Sequence, residues 1–418
     1  GREFTGRPPA AATVRAMAKR RIYLHIGLPG AGGAFLPAAL ARHASALAAA
    51  GVHVPTRAGD EVLRAAVELR RDHKQHGYRR REVEGTWAAL CHRARKACAK
   101  GESVVLGEEH LAGADTDQIA LLLDALSGWE VHVVAVVADP ASQLVGAWAD
   151  TIRAGATRSL RRWTRRVLDP AREAPESVAF WAEHDLEGVL HRWSAALRRP
   201  DRMHVVVAPR ADDASAPVSR RDRAASVWAD LGRVVGFDAA ALPLTEVDTD
   251  PGARLDATGL AVLRGVNRAV DGRVAPGAQR RVVSDHLARR EAEASGPELP
   301  TLPAELHGEL RDLAERWAKA VADAGWLLYG DAADLVPALP TRAVDPDEVG
   351  PGARLASVTD SVADLLVEVA RLREENDALA RRTAKLERKR TKLKTRLAAA
   401  TAAGPAGSPG PAGSADGG

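Results

Sequence analysis

The segment His25-Ile26-Gly27-Leu28-Pro29-Gly30-Ala31-Gly32-Gly33-Ala34 packs four glycines and a proline into ten residues, between an apolar run at 22–26 and an alanine-rich stretch at 35–50. Neither a strand nor a helix continues through such a composition, because glycine gives up the most backbone freedom on ordering and proline lacks the N–H. In order, the chain reads as a buried strand at 22–26, a glycine loop at 27–33 and a helix at 35–50 stopped by Gly51. That sequence of elements opens a doubly wound α/β domain. Further Val-rich runs at 103–106, 131–137 and 204–207, each preceded by a helical stretch, predict a mostly parallel sheet.

The chemistry of such loops is anion binding, since successive backbone N–H groups and a helix N-terminus converge on a phosphate and a lysine adds a full charge. As a Walker loop, the segment has its framing glycines, but Gly33 stands where the lysine belongs and Ala34 where a magnesium-holding Ser or Thr belongs. This argues against an ATPase or kinase. The same residues resemble the 5′-phosphosulfate loop of the sulfotransferase family, H-I-G-x-P-K-T-G-T-T-x-L, with His25, Ile26, Gly27, Pro29, Gly32 and Leu36 matching. The family's Lys falls on Gly30 and its three Thr on Ala31, Gly33 and Ala34.

The resemblance continues in weaker pieces. Residues 50–55, the "V-V-I-S-x-E"-like segment at 104–111, the stretches at 133–148 and 180–193, and Gly330-Asp-Ala-Ala-Asp-Leu-Val-Pro337 follow the family's order over 22–337. It implies a sulfotransferase or P-loop type of fold, with 3′-phosphoadenosine 5′-phosphosulfate (PAPS), or the nucleotide 3′-phosphoadenosine 5′-phosphate, held by residues 27–34. It also implies an Arg and a Ser on the donor's 3′-phosphate, and here those positions are Ala138 and Gly146. With Gly30, two cationic donor contacts are missing, each worth on the order of 3 kcal/mol by analogy with a deleted oxyanion donor. The helix dipole returns only about 1 to 2 kcal/mol.

Two consequences stay open from sequence. One is a catalytically impaired sulfotransferase-like protein acting as a binding or scaffolding subunit. The other is an active PAPS-dependent enzyme sulfating an unknown hydroxyl or amine, with contacts relocated to Arg158, Arg161, Arg162, Arg165 and Arg166 or to the basic stretch Arg70, Arg71, His73, Lys74, His76, Arg79, Arg80 and Arg81. Solvated faces of Arg-rich helices account for both groups more simply. The resemblance makes Glu109 the base that takes the acceptor's proton, whereas a carboxylate capping the next helix is the plain alternative. His25 lies on a buried strand, where a satisfied core histidine is the ordinary expectation.

Metal chemistry lacks a ligand set: His73 and His76 have no nearby third ligand, and Cys91 and Cys98 lie two helical turns apart, about 10 Å along an axis. Two cysteines in 418 residues also exclude a disulfide scaffold. The 59 Lys and Arg against 55 acids leave a net charge of +4, too balanced for the whole chain to be a polyanion binder. No specific nucleic-acid partner is expected. No apolar run approaches the roughly 18 residues of a bilayer span, so a soluble, cytoplasmic protein is expected, with a small molecule or a protein as any acceptor.

A linker is expected at 338–354, where prolines and glycines crowd a polar context. Beyond it, Val358, Leu365, Leu372, Leu379, Leu386 and Leu393 recur every seven residues, with Leu355, Val362, Val369, Asn376 and Thr383 three residues before them. Leu at d, β-branched residues at a and one a-site Asn predict a parallel homodimeric coiled coil over 355–398. A single amphipathic helix folded back on the domain is the alternative. Residues 1–21, an Arg-rich extension, and 399–418, a Gly/Pro/Ala/Ser tail, are expected to be disordered.

Overall fold

The computed structural model describes residues 19–57, 59–210, 219–249, 255–274, 300–338 and 344–402. The N-terminal extension up to residue 18 and the tail from 403 lie outside the described residues. Six strands, β1 (Arg21–His25), β2 (Val52–His53), β3 (Ser103–Gly107), β4 (Glu130–Val137), β5 (Met203–Val207) and β6 (Leu327–Tyr329), form one sheet in the order β2-β3-β1-β4-β5-β6. Every neighbouring pair is parallel. The α/β class with a parallel sheet therefore holds, and its cause is visible in β3, β4 and β5. Their Val-rich runs are almost wholly buried, as strands covered on both faces must be.

Helices fill the crossovers. After β1 come α1 (Leu36–Arg42) and α2 (Ala44–Ala49); after β2, α3 (Glu61–Arg70) and α4 (Thr86–Ala97); after β3, a 3₁₀ turn at Glu109–Gly113 and α5 (Thr116–Asp124). Between β4 and β5 lie α6 (Pro140–Arg153), α7 (Leu160–Val167), α8 (Pro175–His184) and α9 (Leu186–Leu197). Between β5 and β6 lie α10 (Arg220–Val235), α11 (Ala257–Val270) and α12 (His307–Asp323). Short polar residues start several of them: Asp139 accepts from Ser142 N–H at 2.8 Å and Asp256 from Gly259 N–H at 2.7 Å, each satisfying an otherwise orphaned helix donor.

The single helix expected over 35–50 is two pieces. It breaks at His43, whose Nε2 lies 3.0 Å from Pro243 O, and the chain bends there instead of continuing the helical ladder. The helix after the glycine loop is thus only seven residues long.

Two apolar clusters hold the fold. The larger encloses the sheet, from Ile22 and Leu24 through Val133–Val137 to Trp317. The smaller joins α6, α7, α8 and α11 through Leu144, Trp148, Trp163, Phe180 and Leu263. Polar groups pin this second cluster: Trp148 donates to Arg158 O at 3.0 Å, and buried Asn267 donates to Ile152 O and Ala156 O at 2.8 and 2.7 Å.

The chain divides into two units, 1–357 and 358–418. The second contains most of α13 (Pro351–Ala402), a helix of 52 residues, about 78 Å long at 1.5 Å per residue. It starts inside the expected linker, because proline at the first helical position costs no hydrogen bond. Its heptad leucines are solvent-exposed in the single chain, from 36% at Leu365 to 67% at Leu355.

Candidate functional site

In a parallel sheet the C-terminal strand ends share one edge, and ligands of doubly wound folds bind there where the strand order reverses. Here that place is β1, flanked by β3 and β4. The glycine loop leaves it alongside β4: Ile26 N–H donates to Val134 O at 2.9 Å and Leu28 N–H to Val136 O at 2.8 Å. Ala31 N–H then closes a turn on Leu28 O at 3.0 Å.

The exit of β3 brings an acid onto this loop. Glu108 takes the capping role, accepting from His110 N–H at 3.3 Å, while Glu109 turns inward and its Oε2 accepts from Gly30 N–H at 3.4 Å. Of the two roles open to Glu109 from sequence, helix capping belongs to its neighbour. The glycines fit this approach. A Cβ on Gly27 would lie 2.7 Å from Glu109 Cγ, and one on Gly33 would lie 2.7 Å from His25 Nε2 and 3.2 Å from Glu109 Oε1. These two positions are bare because a carboxyl and an imidazole of the same chain come up against the backbone.

His25 is buried, but it is not the satisfied core histidine expected: neither ring nitrogen has a partner among the described residues, and Glu109 Oε1 has none either. Glu109 keeps some exposed surface as a residue, yet that oxygen is sealed. Burial lowers the His25 pKa to about 4. Burial, reinforced by the charge of Glu108, raises that of Glu109 to about 8. At neutral pH a neutral imidazole and a protonated carboxyl therefore face the loop.

The other positions suggested by the resemblance are scattered in character. Gly27, Ala31 and Gly33 are buried, Pro29 and Gly30 are partly exposed, and Gly32 and Ala34 are exposed. Gly30 has φ +75° with open space where a Cβ would point. Ala138 is 1% exposed at the end of β4, its carbonyl held by Gln143 Nε2 at 2.7 Å, so a long cationic side chain there would have to displace core. Gly146 lies on α6 with open space beside it.

Six of the arginines considered as substitutes have acid partners of their own. Arg158 and Arg166 pair with Glu176 at 3.0 and 3.3 Å, Arg161 and Arg165 with Glu305 at 3.5 and 3.6 Å, and Arg80 with Glu84 at 3.6 Å. Arg70 pairs with Glu183 and with Asp72.

Beside the loop, starting at Pro29, lies a cavity of about 610 Å³ whose walls include Trp163, Phe180, His110, His184, Asp150 and Glu183. Burial pushes the Glu183 carboxyl up, but His110 and Arg70 outweigh it and hold the pKa at about 2. Burial likewise opposes the charged form of His110, and Glu183 overrides it, so its pKa is raised. The His110–Glu183 pair, backed by Arg70 from outside the lining, thus stands in the wall of this pocket. Sequence reading placed Arg70 in a basic stretch but missed Glu183 and His110, because their partners are 113 and 73 residues away along the chain.

Among the described residues no cluster of three or more His, Cys, Asp or Glu is arranged to hold a metal. Cys91 and Cys98 are buried free thiols whose pKa values burial raises to about 11. No helix among the described residues is long and apolar enough to cross a membrane. No protein-family model, curated protein or solved structure matches this chain.

Proposed function

We propose that the chain is a sulfotransferase-like binding or scaffolding subunit, cytoplasmic and homodimeric through 355–398, with a donor site that has lost its grip on PAPS. The observation that carries this reading is the Glu109 carboxyl on Gly30 N–H, in the loop where the resemblance expects the donor's 5′-phosphosulfate. An acid in the cradle excludes an anion by volume when protonated and by charge when ionised. The buried methyl of Ala138 adds no cation to offset it, and Arg161 and Arg165 of α7 are paired with Glu305. Calorimetric titration with 3′-phosphoadenosine 5′-phosphate at moderate salt should give binding no better than millimolar.

A second reading, an active sulfotransferase for a hydroxyl or amine acceptor, is favoured by the cavity beside Pro29 and by the raised pKa of Glu109, which suits a general base near neutral pH. Low-micromolar nucleotide binding that Arg161→Ala or Arg80→Ala abolishes would replace the first reading with this one.

The dimer rests on the exposed heptad leucines of α13, which a second copy would bury, and on Asn376 as the register-setting polar a residue. Ending the chain at residue 350 should convert a dimer to a folded monomer by light scattering. A full-length chain that stays monomeric at high micromolar concentration would end that part of the reading.

A further inference from the structure

A second cavity, of about 670 Å³, shares no lining residue with the one beside the loop. Five arginines line it against one carboxylate, Asp347: Arg158 just before α7, Arg162 in the first turn of α7, Arg264 and Arg268 one turn apart on α11, and Arg354 in the first turn of α13. The elements are held in place independently of any ligand. Trp148 on Arg158 O and Asn267 on Ile152 O and Ala156 O fix the 152–158 segment against α11, as described above.

The internal charge balance of this cavity is poor. Arg264 is 5% exposed and pairs with Asp347, while its Nε donates to Thr157 O at 3.2 Å. Arg268 reaches the same carbonyl at 3.5 Å, at the limit of a hydrogen bond. Arg354 donates through Nη2 to Pro346 O and Asp347 O at 3.3 and 3.0 Å, yet its Nε is sealed from solvent without an acceptor. Arg162 has no side-chain partner among the described residues, and Arg158 alone has a second acid, Glu176. Like charges gathered in a concave, partly desolvated space repel unless an anion joins them.

We infer that this cavity binds a small polyanion carrying two or more phosphate or sulfate groups. Guanidinium forks match tetrahedral oxyanions with paired, charge-assisted hydrogen bonds. The lining is guanidinium, hydroxyl and carboxylate with no aromatic ring on which a nucleobase would stack, which favours a polyhydroxylated or inorganic polyanion over a nucleotide. A volume of about 670 Å³ is that of a small-molecule site rather than of a groove for a nucleic-acid backbone.

The test is calorimetric titration of the full-length chain with tripolyphosphate and with sucrose octasulfate, at matched physiological ionic strength. The double variant Arg162→Gln/Arg268→Gln removes two exposed guanidiniums and leaves the Arg264–Asp347 pair in place. Micromolar binding by the wild type, weakened by about a hundredfold in the double variant with its ligand-free melting temperature undiminished, supports the site; about tenfold per contact is expected for charge-assisted bonds. Glu109→Gln should leave this affinity unchanged, so the result is independent of the glycine loop. Equal affinity in wild type and double variant would place the polyanion elsewhere, for instance on residues 385–396, where seven Lys and Arg stand against the single acid Glu387, and would overturn the proposal, as would the absence of binding by either probe.

Discussion

In the glycine loop, a backbone shaped for an anion meets a carboxyl from its own chain; in the arginine-lined cavity, five guanidiniums meet a single lining carboxylate. The first region resembles a phosphate loop in sequence and carries no cation, and the second has the charge without any recognisable motif. The difference is that loop shape is encoded in a few consecutive residues, whereas electrostatic balance is a sum over everything that folds around a point. Gly30 N–H is an anion donor only until Glu109, 79 residues away, is brought to it.

The larger way to sharpen this contrast is to neutralise the acid. Glu109 has a folded pKa near 8 against an unfolded value of 4.5, so the folded state binds more protons between them, and the stability it confers below pH 4.5 is lost as pH rises through 8. Glu109→Gln keeps an acceptor for Gly30 N–H and removes the titration. Thermal melts should show the variant more stable than wild type by on the order of 3 kcal/mol at pH 7, with the gap closing below pH 4.5. A gap that does not change with pH would mean the carboxyl is hydrated and ionised, and the closed-cradle account would fail.

A smaller effect is expected at Gly33. An added methyl would sit 2.7 Å from His25 Nε2 and 3.2 Å from Glu109 Oε1, inside a packed core. Gly33→Ala should cost about 2 kcal/mol in denaturant unfolding, the range of buried overpacking. It should leave polyanion binding at the arginine cavity unaltered. A neutral outcome would show that the imidazole and carboxyl have room to move apart.

Much of the fold was legible along the chain. The glycine loop after 22–26 and the buried Val-rich runs placed β1, β3, β4 and β5 within a residue or two, because a strand buried on both faces needs only local apolar composition. The break at His43 was not legible, since an alanine-rich helix has no internal stop and the bend follows a contact to Pro243, 200 residues on. Within the candidate site, Glu109 stood out by its place after a strand. Its inward turn and the capping by Glu108 did not, because adjacent acids at a strand exit compete for the same role and packing chooses between them.

Sequence by itself determined the elements: a strand, loop and helix opening, a parallel sheet, and a long heptad-patterned C-terminal helix, all consequences of period and composition over short windows. Tertiary structure decided the charges. It paired Arg161 and Arg165 with Glu305, seated a protonated carboxyl on the glycine loop, and gathered Arg158, Arg162, Arg264, Arg268 and Arg354 around Asp347. The reason is range. Hydrophobic periodicity is a local property of the chain, while the energy of a buried charge depends on partners that only folding brings within a few ångströms.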